Sequence, residues 1–210
     1  MKLTDVRPHR GQQVVLIWDD GSETLLDKRT FEESPYGVGS FLSLEEHEVL
    51  CALSQRNRTR EKAVFLLSRR DYSRRELEQK LCREKGRYYA ENREAAAEAA
   101  AYMEELGYVK DEEYARRLAR DCRDVKHYPR RRALEKLCEK GIARDVACAV
   151  LDEMEWDDVQ LALEFLVKKR YNIPRSREEA EKQMVALARY GFSGEDIRRA
   201  IKRRQEEEEL

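Results

Sequence analysis

The polar residues that stand out by type and spacing are arginines and lysines. Arg69-Arg70 and Arg74-Arg75 flank a short turn between predicted helices. Arg130-Arg131-Arg132 opens the corresponding helix further on, with Lys136 one turn along it, and Lys168-Lys169-Arg170 lies before the next helix of that kind. Clusters like these do one kind of chemistry: they hold phosphate or carboxylate oxygens by charge and by hydrogen bonds. A solvated face of ion pairs with neighbouring Glu explains the charge alone equally well. If the helices bearing them repeat, the positive charge lines one edge of an array and meets DNA phosphates or an acidic protein groove.

Groups for covalent chemistry are sparse. The chain has no GxxxxGK[ST] phosphate loop, no GxGxxG after a strand, no GxSxG and no HExxH. Its five cysteines, at 51, 82, 122, 138 and 148, form no CxxC pair and fall on or near apolar helical stripes. Histidine occurs only at 9, 47 and 127, which leaves no predictable partner for a thiol nucleophile and no zinc set. The cysteines read as reduced, mostly buried thiols. Neither enzymatic activity nor a cofactor or metal is expected. No apolar run reaches the roughly 18 residues of a membrane span. The opening Met1-Lys2-Leu3-Thr4-Asp5 is too polar for a signal peptide, so a cytoplasmic protein is expected.

The net charge of −1 at pH 7 conceals segregation. Residues 1–50 carry about −5, 51–86 about +6, 145–165 about −7 and 166–177 about +5, with four consecutive Glu at 206–209. Charged residues make up 40% and hydrophobic residues 41% of the chain, with nine Gly and four Pro. That balance describes helices with thin apolar stripes and wide wet faces.

Only the first 26 residues read as β. Strands are predicted at 3–6, 14–18 and 22–26, the last two joined by an Asp20-Gly21 turn, and 33–39 reads as a connection. Ser43/Glu46 is a capping box opening a run to about residue 70 that reads as one long helix or as two with a break near Asn57. Ser73/Glu76 opens a second helix stopping at Gly86, and a third covers 92–106, its alanine-rich start suited to close approach. The plan then recurs: helices over 111–125, from Pro129 to Gly141 and over 144–154; then one from Asp157, one from Ser176 to Gly191 and one from Ser193. Helix endings echo one another in Lys80-Leu-Cys-Arg-Glu-Lys-Gly86, Lys136-Leu-Cys-Glu-Lys-Gly141 and Leu187-Ala-Arg-Tyr-Gly191. The expected fold is mainly α, an elongated tandem array of three three-helix repeats with a small N-terminal β element. The divisions are 1–42 (β leader and linker), 43–110, 111–155 and 156–210, the last with the acidic tail.

Between the first two repeats lies a joint in which one helix stops and the next starts. Gly107 can take the left-handed conformation that ends a helix, and Asp111 can cap the next, whose first turn also holds Glu112 and Glu113. Gly107, Tyr108, Asp111 and Tyr114 are expected to be structural, fixing the angle between repeats. The pair of helices around Arg69–Arg75 also reads as a helix-turn-helix, but no Asn, Gln or Ser cluster marks its second helix as a reader of bases.

The joint Gly107-Tyr108-Val109-Lys110-Asp111, followed by Tyr114-Ala115, resembles the Gly-Tyr-Leu-Asp-Asp-x-x-Phe-Ala segment of the RecX regulatory proteins. Ser73-x-x-Glu76-Leu77-x-x-x-Leu81 resembles their preceding helix and Leu137-x-x-x-Gly141-Ile142 the one after the joint. Lys110 departs from the family's first acid and Tyr114 from its Phe. The resemblance implies a curved array that binds the RecA recombinase on single-stranded DNA and modulates its ATPase and strand exchange. It implies DNA contact made directly or through the filament. A monomer is expected. The alternative is a helical DNA-binding protein acting without RecA; a general interaction scaffold is a third reading.

Overall fold

In the computed structural model, residues 1–83 and 93–206 are described, and the chain divides into two compact units, Met1–Val109 and Lys110–Leu210. The Gly86 helix stop, the expected start of the third helix at Asn92, and the Glu207–209 part of the acidic tail lie outside the described residues.

The first unit begins with an antiparallel sheet in the order β1 (Leu3–His9), β2 (Gln13–Trp18), β3 (Glu23–Asp27). The Asp20-Gly21 signal does form the β2–β3 turn: Gly21 has φ +81°, and the Ser22 N–H donates to Asp20 Oδ1 at 2.9 Å. Leu3, Val14, Leu16, Trp18 and Leu26 are buried beside Leu42 and Leu50.

A short helix, α1 (Lys28–Glu33), follows, ahead of the 33–39 connection, where no element was expected. Asp27 ends β3 and caps α1 at once, accepting from the Arg29 and Thr30 N–H groups at 3.1 Å each. Its own N–H donates to Ser54 Oγ at 2.6 Å, and Asn57 Nδ2 donates to Thr30 Oγ1 at 2.9 Å. Asn57 therefore ties α2 to this corner and does not break it.

Helix α2 (Leu44–Leu67) is one uninterrupted helix of 24 residues, opened by the full Ser43/Glu46 capping box. It serves two cores. Leu50 and Cys51 pack on the sheet, whereas Ala63, Leu66 and Leu67 pack with α3 (Arg74–Cys82) and α4 (Arg93–Glu105). Ala96, Ala99 and Ala100 of α4 are buried in that second core, as the alanine-rich run implied. Gly107 ends α4 at φ +75°; its N–H donates to the Glu104 carbonyl and the Tyr108 N–H to the Met103 carbonyl, a Schellman cap.

In the second unit, α5 (Asp111–Arg120) runs into a π-helical segment, Asp121–Val125, where a plain α-helix was expected. The Lys126 N–H reaches the Asp121 carbonyl at 3.0 Å and the Tyr128 N–H the Cys122 carbonyl at 2.8 Å, widening the helix around buried Cys122. Asp111 is the first helical residue, not the cap: Lys110 holds that position without a side-chain bond. Pro129 likewise stands at the cap of α6 (Arg130–Glu139) instead of its first position, and Asp158 Oδ1 accepts the Arg130 N–H at 2.9 Å. Burial of Asp158 pushes its carboxyl above the usual range, an effect this N–H opposes.

α6 and α9 (Arg177–Tyr190) end alike. Gly141 (φ +85°) is followed by buried Ile142, whose N–H donates to Leu137, and Gly191 (φ +110°) by buried Phe192, whose N–H donates to Leu187. α5, α6 and α7 (Arg144–Asp152) share one core. α8 (Asp158–Lys168), α9 and α10 (Gly194–Glu206) share another, and Trp156 packs on both.

A Cβ on Gly191 would sit 3.4 Å from Cβ and Cδ of Arg132 in a left-handed backbone. Gly191→Ala should lower stability by about 1–2 kcal/mol, read from the urea midpoint. A pH effect follows from His47, whose Nε2 lies 3.0 Å from Thr24 Oγ1, itself accepting from Trp18 Nε1 at 2.8 Å. Burial depresses the His47 pKa below its ordinary 6.5, so folding favours the neutral ring. Its contribution is present above pH 6.5 and lost as the pH falls through the folded-state value. His47→Gln should flatten that part of the stability–pH curve between about pH 7 and 5.

Candidate partner-binding surface

The structure separates the sequence-selected cations into two sets. At the α2–α3 corner, the Arg70 guanidinium lies 3.6 Å from the ring centre of buried Tyr72 and forks onto Glu76 at 2.9 and 3.1 Å. Arg74 spans Glu78 at 3.3 Å and Glu104 of α4 at 2.9 Å. Both hold the corner together. Arg69 lies over Phe65 at 4.6 Å, and both side chains face solvent. Arg75 is exposed, and neither Arg69 nor Arg75 makes an ion pair among the described residues.

The three arginines of α6 also diverge. Arg130 pairs with Asp152, and Arg132 lies over the rings of Tyr128 and Tyr190, 4.3 and 4.5 Å from their centres. Arg132 also donates to the Tyr190 carbonyl at 2.5 Å. Arg131 points outward, 82% exposed in its side chain, with an i,i+4 pair to Glu135 at 3.3 Å. Lys136 pairs with Glu139. At the end of α8, Lys168 donates to the Val125 carbonyl, whereas Lys169 and Arg170 are exposed and make no ion pair among the described residues. Arg170 adopts φ +57°.

Tyr190 was legible only as part of a helix-ending echo, yet it joins much of this unit. It packs on Phe165 at 4.2 Å and Tyr128 at 5.1 Å, and its hydroxyl donates to the Lys126 carbonyl at 2.5 Å. Burial raises its pKa. An aromatic residue just before a capping glycine was the available signal. Nearby, His127 (φ +52°) lies 3.0 Å from Glu164 Oε2 in an open cleft of about 460 Å³ that also includes Lys168 and Arg203.

At the joint, Gly107 provides the turn and Tyr108 its backbone N–H, while Tyr108 is 64% exposed. Val109, not singled out from sequence, is the buried residue there. Tyr114 packs against the α5–α7 core. Among the described residues no group of three His, Cys, Asp or Glu could hold a metal, and no helix is long and apolar enough to cross a membrane.

No family model matches the chain. The regulatory protein RecX of Vibrio cholerae is 36% identical over 152 residues, 71% of this chain and 95% of that protein. Its counterpart from Stenotrophomonas maltophilia is 32% identical over 144 residues, 68% of this chain and 84% of that protein. The chain belongs to the RecX family of regulatory proteins. A RecX crystal structure superposes with TM-score 0.62 at 15% identity, covering 95% of this chain and 98% of its own. RecX from Lactobacillus salivarius gives 0.59 at 22%, covering 73% and 98%. At those identities the likeness is one of fold, here mainly helical with a small N-terminal sheet. The family to which the Gly107–Ala115 joint pointed is the one the relatives bear out, and their names describe regulators.

The two sets of arginines separate in stability. Arg132→Ala removes two cation–π contacts and a hydrogen bond, and should cost about 2 kcal/mol in urea unfolding. Arg131→Ala should stay within about 0.5 kcal/mol of the parent.

Proposed function

We propose that this RecX-family protein regulates the RecA recombinase by binding its filament on single-stranded DNA. It alters ATP hydrolysis and strand exchange there without performing catalysis itself. The observation that carries this reading, beyond family membership, is that five of the clustered cations picked out from the sequence stay exposed and are not needed by the fold: Arg69 and Arg75, Arg131, and Lys169 and Arg170. We divide the helices into three repeats, 43–110, 111–155 and 156–210, so that each repeat offers at least one member of the set. Several weak contacts on one chain then add, because each later contact forms at the effective concentration set by the first. The protein works as a cytoplasmic monomer in this reading.

The test adds the protein to RecA, single-stranded DNA and ATP, and follows ATP hydrolysis and strand exchange. Both should change at stoichiometric protein; no change overturns the proposal. Replacing Arg69, Arg75, Arg131, Lys169 and Arg170 together by Ala should weaken filament binding at least about tenfold and flatten its salt dependence, with the urea midpoint preserved. Arg70 and Arg74 substitutions should lower stability first. Equal binding to bare DNA and to the filament favours a DNA-binding protein independent of RecA.

A further inference from the structure

The basic surface leaves one conspicuous face of the first unit unexplained. The N-terminal half of α2 packs Leu50 and Cys51 onto the sheet and turns Val49, Ala52, Leu53 and Arg56 the other way, at i, i+3, i+4 and i+7. Val49 is 57% and Leu53 47% exposed. Together with Ala95 of α4 they line an open groove of about 610 Å³. A helix that buries one apolar stripe and exposes another has a surface larger than its own fold uses.

The charge around this groove is opposite to that of the exposed arginines. Glu98 lines it, held by Arg56 at 2.5 Å and Arg60 at 3.0 Å. Glu94 also lines it, and Glu45 and Glu48 stand on α2 nearby. Glu45, Glu48 and Glu94 are exposed and make no ion pair among the described residues. An apolar floor with acidic carboxylates beside it repels phosphates. It also disfavours a two-fold pairing of this groove with the same groove of a second copy, which would bring the same carboxylates against their like.

We infer that this α2–α4 groove docks a cationic amphipathic helix of a protein partner, leucine-type side chains inward and Lys or Arg at the flanks. From Val49 to Arg56 the floor is about 10 Å long, room for about two turns of such a helix. The inference stands independently of RecA binding, because it rests on a different face and the opposite charge.

The experiment uses the full chain and three labelled 18-residue peptides, read by fluorescence anisotropy. One carries Leu at i, i+3, i+4, i+7 spacing with Lys flanks, one has the same Leu with Glu flanks, and one is a scramble of the Lys peptide. The Lys-flanked helix should bind at least tenfold more tightly than either of the others. Leu53→Glu and Val49→Glu separate docking from bulk charge attraction: each adds a negative charge, so mere attraction would tighten, whereas docking should weaken at least tenfold. Both sites are exposed, and circular dichroism checks that the variants fold. No binding of the Lys-flanked helix, equal binding of its scramble, or undiminished binding by both Glu variants would overturn the inference. So would a concentration-dependent dimer, seen in sedimentation, that Leu53→Glu abolishes.

Discussion

Short helices built on small side chains must be held at their ends. The cores here are rich in alanine: Ala63, Ala96, Ala99 and Ala100 around α4, and Ala115, Ala119, Ala133 and Ala147 among α5, α6 and α7. Alanine lets helices approach closely but removes little apolar surface from water, at about 25 cal/mol per Å². Chain direction is then set by the caps. Gly107, Gly141 and Gly191 each turn left-handed, and the next residue's N–H returns to the carbonyl five back. At the latter two sites that next residue is also the apolar plug, Ile142 or Phe192; after Gly107 the plug comes one later, at Val109. A single cap is worth only about 1 kcal/mol, comparable to burying one methylene, yet it decides where the following helix begins.

The same economy governs the arginines. A guanidinium can stack on an aromatic ring, fork onto a carboxylate, or stay in water, and its sequence neighbours do not say which. Arg130, Arg131 and Arg132 are consecutive, so a helix sends them about 100° apart and into three environments. Arg132 has a ring on either hand because Tyr128 lies just before α6 and Tyr190 arrives from α9, some 58 residues later. Arg131 finds only Glu135 on its own helix, a pairing of little energetic weight at that exposure. Counting charges in the sequence therefore overstated the surface available to a partner. Family membership is what directs attention to the remainder.

Features with local causes were legible. Ser43, Ser73 and Ser176 cap where they were expected to, because a serine hydroxyl three residues before an acid is a self-contained signal. The Asp20-Gly21 turn and the glycine stops at 107, 141 and 191 are of the same kind. Features that need a distant partner were not legible. α1 exists because Asp27 and Thr30 are tied to Ser54 and Asn57 of α2, and nothing near residue 28 announces that. The π-helical stretch at Asp121–Val125 keeps the helical apolar pattern while changing its hydrogen bonds, so periodicity alone calls it α. Asp158, which completes the N-terminus of α6, reads locally as no more than an acid in the first turn of its own helix.

The two faces of α2 show why net charge near zero says little about such a molecule. Its first half places carboxylates beside exposed Val49 and Leu53, while its C-terminal end reaches Phe65 and the Arg69–Arg75 corner. From Val49 to the end of α2 at Leu67, just before Arg69, the helix runs about 27 Å. At physiological salt the screening length is about 8 Å, so the acidic and basic ends act as separate fields and not as one neutral surface. A rigid helix bearing opposite charge at its two ends can face a polyanion with one and a cationic protein segment with the other, without either weakening its neighbour's contact. That separation depends on α2 being unbroken, and it is Asn57, bonded to Thr30 instead of turning the chain, that marks the middle of the span.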